Sequence, residues 1–414
     1  MKILQLSESD ISGGAARAGY RLHQGLQQIG INSLMKVQTK ISEDESVCGL
    51  TSNLAMGFAK IKLSMDHLPK LLYRKRKNLV YHFQWMPDFM IRRIKAQSPD
   101  IIHLHWVCRA FINVKTLARM KKPLVWTFHD MWPFTGGCHY TGDCTGYRLS
   151  CGNCPQLGSE GKKDLSHWTW RRKQKWWRNL DLTIITPSQW MKACVLESTL
   201  LKDYPVKVIP YGIDLNRYRP LDRDMARDLL GLPRGKHLIL FGAINPSKDP
   251  RKGFRFLHSA LKGLSQKDDC QQTELIILGS SEPPNKPDFG FKTTYLGRLH
   301  DDISITLVYA ACDVFVIPSL EDNLPNTVIE ALACGIPCVG FNSGGISDMI
   351  KHKKNGYLAA RLDIGDLANG IKWVLKNATR WQSLSREARK TVKREYDIGI
   401  IAQRYAELYQ TILN

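Results

Sequence analysis

Short apolar runs alternate with segments of helical period along almost the whole chain, and this rhythm restricts the fold more than any other feature. "KILQL" (2–6) reads as a buried strand, after which Ala15, Ala18, Leu22, Leu26 and Ile29 recur at three- and four-residue steps until Gly30 stops the helix. Further strands are expected at "PDIIHLHW" (99–106), "PLVWTFHD" (123–130) and "DLTIITPS" (181–188). "VKVIPYGIDLNRYRP" (206–220) has the Pro, Gly and Asp content of a crossing between domains. The pattern then restarts, with strands expected at "HLILFGAI" (237–244), "TELIILGS" (273–280), "DVFVIPS" (313–319) and "PCVGF" (337–341). Helical segments at 253–263 and 326–334 fall between them, and a helix-rich tail spans 379–412. Strands alternating with helices require parallel sheets covered on both faces. At 414 residues the chain is long for one core and natural for two domains of roughly 200 residues each. The expected architecture is therefore α/β, with two doubly wound, Rossmann-like domains facing across a cleft. Their expected bounds are 1–212 and 213–395, with 396–414 a helix crossing back to the first domain.

Composition narrows the class. No run of about 18 apolar residues is present, so no spanning helix is expected. "MKILQLSESD" has no apolar core with a cleavage site, so the expected location is the cytoplasm. The charge is unusual: 59 Lys+Arg against 38 Asp+Glu gives +21, which favours polyanionic partners. "LPKLLYRKRKNLVYHF" (68–83) and "HWTWRRKQKWWRNL" (167–180) mix basic residues with aromatic or aliphatic ones. Each reads either as a helix lying on an anionic membrane surface or as a solvated helix face.

In open parallel sheets, ligands gather at the carboxyl ends of strands near helix N-termini. Three places meet that description. In "SESDISGGAARAGY" (7–20), a strand meets Gly13 and Gly14 and then a helix; this suits a backbone approaching an anion, or simply a tight turn. In "FHDMW", His129 and Asp130 end a strand, whereas His103 and His105 alternate within one and read as core residues. In "PSLEDNLPNTVIEALACG" (318–335), a strand leads through a polar loop to a helix that Gly335 ends, with Asn326 as its N-cap. The backbone donors around Asn323, Leu324, Asn326 and Thr327 suit a pyrophosphate, and Glu330, one turn in, suits the vicinal hydroxyls of a ribose.

"WTFHDMWPFTGGCHYTGDC", "ITPSQW", "VIPYGID", "LFGAINPSKDPRKGF" and "PSLEDNLPNTVIEALACGIP" occur in that order. Together they resemble the retaining GT-B glycosyltransferases of the sugar-nucleotide-dependent family 4, which carry an E-x7-E motif. More narrowly they resemble bacterial enzymes that build capsule, exopolysaccharide and O-antigen units. The resemblance spans essentially the whole chain. It implies an N-terminal acceptor domain, a C-terminal nucleotide-sugar domain, and transfer of a hexosyl unit from a UDP- or GDP-sugar with retention. The acceptor it implies is a lipid-diphosphate-linked sugar or an oligosaccharide at the inner membrane surface, and no catalytic metal is implied.

Residue by residue, Glu330 matches the acid implied to bind the ribose, and Asp322 rather than Glu321 matches the acid implied to touch donor-sugar hydroxyls. Lys252 matches the lysine implied to neutralise the diphosphate, His129 the active-site histidine, and Gly13 and Gly14 the glycine loop. Gly344 and Gly345 resemble another donor-side loop. The chain departs from the pattern at three positions. Asp322 replaces Glu, shortening reach by roughly 1.5 Å; Asp348 stands where Glu is usual; and Ala243 follows Gly242 where arginine is frequent, leaving Arg251 or Lys248 to compensate. Breaking a glycosyl–phosphate bond builds negative charge on the leaving diphosphate. A lysine and helix N–H groups placed there stabilise the transition state more than the ground state, each such donor contributing about 3–4 kcal/mol.

Four of the eleven cysteines cluster as Cys138-x5-Cys144-x6-Cys151-x2-Cys154. They read either as a closed, structural Zn–S4 site or as four ordinary or redox-labile thiols. A zinc loop on a basic protein also suits a nucleic-acid binder, but no C-x2-4-C…H-x3-5-H finger is present, and that class leaves the second half's loop–helix pattern unexplained. A GT-B sugar-phosphate synthase or epimerase is the other alternative.

Overall fold

The computed structural model describes residues 1–50, 52–242, 249–266 and 272–414. Ala243 and Lys248 lie outside the described residues. The chain forms two compact units, Met1–Gly212 with Gly399–Asn414, and Ile213–Ile398.

The first unit is built on seven parallel strands: β1 Lys2–Ser9, β2 Asn32–Thr39, β3 Val47–Cys48, β4 Ile101–Leu104, β5 Leu124–Thr127, β6 Leu182–Thr186 and β7 Val206–Val208. Their spatial order is β3-β2-β1-β4-β5-β6-β7. The second unit has six: β8 His237–Gly242, β9 Thr273–Leu278, β10 Lys292–Tyr295, β11 Val314–Ile317, β12 Cys338–Phe341 and β13 Gly356–Ala359, ordered β10-β9-β8-β11-β12-β13. Neighbouring strands in both sheets pair in parallel, as the βαβ rhythm requires. In each sheet the first strand sits inside, with β1 between β2 and β4 and β8 between β9 and β11. The connections leave in opposite directions from that strand, so a crevice opens at the carboxyl ends of β1/β4 and of β8/β11.

The central strands are apolar on both faces because helices cover both. Every residue of β4, β5, β11 and β12 is buried. On one side of the first sheet, Leu4, Ile102, Leu124 and Trp126 pack with Trp132 and Trp177. On the other side, Ile3, Ile101, Val125 and Ile185 pack against Ile401, Tyr405, Leu408 and Tyr409 of the final helix, Ile398–Leu413. The tail is thus two helices, Ala378–Glu395 in the second unit and this one in the first, separated around Tyr396 and Asp397.

The structure corrects two local expectations. Asn326 is the first residue of its helix, Asn326–Ala333, and Pro325 occupies the N-cap, since proline's fixed φ suits a position flanking the first turn. Segment 68–83 is not a helix. After the helix Asn53–His67, Pro69 tightens the chain into a 3-10 turn, Leu68–Leu72, and the basic run beyond it is irregular. Segment 167–180 does fall largely on a helix, Leu165–Trp177.

Buried imidazoles thread the first sheet. His103 receives two hydrogen-bonding partners, Tyr409 Oη at 2.6 Å on Nδ1 and Thr127 Oγ1 at 2.8 Å on Nε2, and burial pushes its pKa down to about 3. Tyr409→Phe should leave Nδ1 of that buried ring without its partner, lowering stability by about 1–3 kcal/mol. Denaturant unfolding followed by tryptophan fluorescence measures this, and a change within about 0.5 kcal/mol would refute the assignment of that contact.

Candidate active site

In the second unit, the chain after β11 and the chain after β8 converge at the switch point. Lys252 Nζ donates to Asp322 Oδ2 at 2.6 Å. Asp322 is buried, which alone raises its pKa; the Lys252 charge and hydrogen bond, the Arg251 charge and the Asn323 N–H at 3.1 Å outweigh burial and hold it below the usual carboxylate range. Lys252 closes the 3-10 turn Pro250–Lys252, whose first N–H groups Asp249 caps. Arg251 Nη2 is held on Asp249 Oδ2 at 2.7 Å.

Two glycines let these loops touch. Gly253 has φ +68°, and a Cβ there would lie 1.8 Å from the Pro318 carbonyl oxygen. Gly344 has φ +55°, and a Cβ would lie 2.1 Å from the Asp322 carbonyl oxygen, which accepts from Gly345 N–H. Leu320 N–H donates to the Arg251 carbonyl at 2.7 Å, tying the lysine's turn to the acid's loop. Gly242, at the end of β8, lies against Phe315 of β11, and a Cβ there would meet that ring at 3.4 Å.

Behind this pair, Asn323 and Leu324 are buried and Thr327 is half-buried in the first turn of the helix Asn326–Ala333. The positive end of that helix follows directly on the Asp322 loop, an arrangement suited to an anion. Glu330, one turn further, is buried, and its Oε2 accepts from the Tyr309 hydroxyl at 3.1 Å. Burial and the Glu330 charge push the Tyr309 pKa far up. Lys252 and Asp322 are therefore in contact, and Glu330 meets Tyr309.

In the first unit, His129 follows β5 and is buried. Its Nδ1 meets the Tyr211 hydroxyl at 2.8 Å and its Nε2 meets His105 Nδ1 at 3.1 Å; His105 Nε2 in turn meets Gln5 Oε1 at 2.8 Å. The row fixes the tautomers. Gln5 Oε1 only accepts, so His105 carries its proton on Nε2; His129 then donates from Nε2 to His105, and Tyr211 donates to His129 Nδ1. Burial pushes the His129 pKa down to about 4 despite the neighbouring Asp130, so the ring is neutral near pH 7. Gly13, φ +95°, is the N-cap of the helix Gly14–Gln28, and the loop before it is pinned by Asp10, which accepts from the N–H groups of Ile11, Ile41 and Ser42.

Sequence reasoning missed several participants. Tyr309 reaches Glu330 from an element distant in sequence, with no local pattern to mark it, and Tyr211, which meets His129, lies in "VIPYGID" but had been given no role there. Glu8 had a signal, because it lies near the carboxyl end of β1. It is buried, with its pKa raised by that burial against the Arg109 charge, whose guanidinium Nε lies 3.7 Å away. The four clustered cysteines line one cavity. Among the described residues, however, the group of three metal-ligand atoms lying within 4.8 Å of one another is His82, Cys108 and His139.

Two family models match the chain, Glycosyltransferase Family 4 over residues 12–217 and Glycosyl transferases group 1 over residues 235–377. The putative colanic acid biosynthesis glycosyl transferase WcaC of Escherichia coli strain K12 is 24% identical, over 100% of both chains. The Escherichia coli UDP-Gal:alpha-D-GlcNAc-diphosphoundecaprenol alpha-1,3-galactosyltransferase is 26% identical over 215 residues, 49% of this chain and 54% of that one. Among solved structures, sucrose-phosphate synthase from Thermosynechococcus elongatus has a TM-score of 0.72 at 18% identity, covering 100% of this chain and 99% of its own. Anabaena HepE in complex with UDP-glucose has a TM-score of 0.66 at 18% identity, covering 99% and 100%. These two structures speak for the fold. With both halves matched in order and both sheets wound alike, the chain belongs to the family 4 retaining glycosyltransferases and has their GT-B fold.

Proposed function

We propose that this enzyme moves a hexosyl unit from a UDP-sugar to a lipid-diphosphate-linked or oligosaccharide acceptor during surface polysaccharide assembly. The Lys252–Asp322 contact at the switch point of the second sheet carries the reading. An ammonium, a helix N-terminus and a buried acid one turn along form a receptor for a nucleoside diphosphate. Lys252 leaves Asp322 for the diphosphate oxygens when donor binds, and there it stabilises the charge that grows as the glycosyl bond breaks. Asp322, released, accepts from donor-sugar hydroxyls. Glu330 accepts from the ribose, with Tyr309 fixing its rotamer. Neutral His129 and the Gly13–Gly14 turn serve the sugar and acceptor side. The scheme asks no metal to take part in transfer. The nucleotide is uridine on the likeness to the UDP-Gal-dependent galactosyltransferase and to HepE, which was crystallised with UDP-glucose. The acceptor class follows the diphosphoundecaprenol in the first of those names.

A second observation favours a membrane-held acceptor. Along Asn53–Leu72, Leu54, Phe58, Ile61, Met65, Leu68 and Leu72 recur at helical spacing and are all exposed, Leu54 at 88% and Leu72 at 82%. Between Ser46 and Pro87 the sequence has seven Lys or Arg and a single acid, Asp66, which is buried and accepts from the Phe83 and Trp85 N–H groups. An exposed apolar stripe within a basic segment is the composition that settles into an anionic bilayer surface. No helix among the described residues is long and apolar enough to cross a membrane. This surface also weighs against the synthase, epimerase and nucleic-acid alternatives, none of which requires it.

A thermal-shift panel of nucleotide sugars should identify the donor, since ligand at about 100 times Kd adds roughly 2.7 kcal/mol. With that donor, Lys252→Ala should lower kcat about 10²–10³-fold. Glu330→Gln should raise donor KM roughly tenfold or more. Wild-type kinetics in both variants would remove the proposed site. In flotation assays the protein should bind vesicles of phosphatidylcholine with phosphatidylglycerol, and release with salt, while ignoring duplex DNA. Leu54→Ser combined with Phe58→Ser and Ile61→Ser should abolish that binding; undiminished flotation of the triple variant would reject the stripe as the docking face.

A further inference from the structure

We infer that Cys138, Cys144, Cys151 and Cys154 hold one zinc ion whose role is to lock the loop after the His129 strand end. All four line a single cavity of about 20 Å³, room for one water-sized particle. Within Cys138–Cys154 the regular structure is one 3-10 turn, Gly146–Arg148. The local apolar cluster is small, with Tyr81, Phe83, Cys138, Cys154 and Leu157 at its centre. Such a stretch needs a cross-link to stay folded.

The backbone at the Cys-x-x-Cys end is costly and specific. Cys151, Gly152 and Asn153 are consecutively left-handed at φ 52°, 106° and 46°. The two non-glycine residues store strain of about 1–3 kcal/mol each, and the turn brings the sulfurs of Cys151 and Cys154 to the same cavity. Four thiolates around Zn²⁺ carry a net charge of −2. The Lys173 side chain packs nearby, fully buried, with its Nζ on the carbonyls of Trp132 and Thr135 and 3.6 Å over the Trp132 ring.

The other cluster, His82, Cys108 and His139, is already engaged in hydrogen bonds. His82 Nδ1 and His139 Nε2 are 2.7 Å apart, a direct hydrogen bond, whereas two nitrogen ligands of one tetrahedral zinc stand about 3.3 Å apart. His139 Nδ1 is held on Asp130 Oδ2 at 2.7 Å, so that group reads as a finished hydrogen-bond chain. Among the described residues no three of the quartet's sulfurs lie within 4.8 Å of one another, wider than the about 3.8 Å that Zn–S bonds of 2.3 Å impose, so uptake should tighten the loop as the thiol protons leave. The consequence reaches toward His129. His139, beside Cys138, gives its carbonyl to the Met131 N–H and its ring to Asp130, which accepts from Trp132 N–H.

The test is metal analysis of the full chain purified from zinc-supplemented cells without chelator. The expected result is one zinc per chain, and tetrahedral thiolate-to-cobalt absorption after exchange with Co²⁺. Cys144→Ser or Cys154→Ser should cut zinc content at least tenfold, while Cys108→Ser and Cys194→Ser keep it. Removing zinc should expose 138–164 to limited proteolysis. Absence of zinc from the unaltered protein, a mass loss of two or four hydrogens showing disulfides instead, or zinc lost with Cys108→Ser and kept with Cys154→Ser would each overturn the assignment. The first two readouts use the unaltered chain, so a variant that fails to fold leaves the proposal open to refutation.

Discussion

Strands covered by helices on both faces have nowhere along their length to place charge, so the chemistry of this fold is forced to the strand ends. β11 shows the consequence: Val314–Ile317 is wholly buried, and within five residues of its end the chain presents Asp322 to Lys252. An ammonium and a carboxylate meet there at 2.6 Å because the loops that carry them are held close together. Gly253 and Gly344 supply the clamp, since a methyl group at either would collide with the facing carbonyl. Everything proposed for the donor depends on that close approach of two backbones, more than on the charges themselves.

The same reasoning explains what was legible in the sequence. Buried central strands announce themselves as continuous apolar runs: β4, β5, β6, β8, β9, β11 and β12 lie within the expected segments, and β1 starts where expected but runs three residues further, to Ser9. The strands that were not anticipated are peripheral: β2, β3, β7, β10 and β13. β2 alternates buried and less buried residues, β3 and β7 span two and three residues, and β10 is only half-buried, so none carries the apolar run. Asp322 and Glu330 could be proposed from the sequence because the strand–loop–helix passage and its side chains are adjacent there. The contact of Glu330 could not, because the Tyr309 hydroxyl arrives from another element and leaves no local trace. The N-cap position slipped by one residue for a similar reason: Asn326 has the chemistry of a cap, but Pro325 already has the φ that the flanking position needs.

The histidine row of the first unit is a different use of burial. His103, His105 and His129 all have their pKa values lowered by desolvation, and each ring nitrogen given a partner is matched to a hydroxyl, an amide oxygen or another imidazole. The direction of proton donation runs from Tyr211 through His129 and His105 to Gln5, a sequence set by the one member that cannot donate from its oxygen. On the proposed reading, His129 brings a neutral, oriented ring edge to the substrate. A strong base would require either loss of the Tyr211 bond or a less buried site.

On the proposed reading, the aspartate at 322 ties sugar specificity to the same ion pair. In the contact seen here, Lys252 offsets the burial of Asp322, whose carboxylate would otherwise be expensive to keep ionised. A diphosphate that draws Lys252 away removes that compensation, so the acid must be satisfied again by hydroxyls of the arriving sugar. A donor without hydroxyls in the right place binds its phosphates at the cost of an unpaired buried carboxylate, about 1–3 kcal/mol or more. Penalties of that kind discriminate better than added apolar contact does. The shorter side chain sharpens the requirement, because an aspartate has one fewer rotatable bond with which to follow a misplaced hydroxyl. Selectivity for the sugar, on this account, arises from what the phosphate-binding lysine leaves behind.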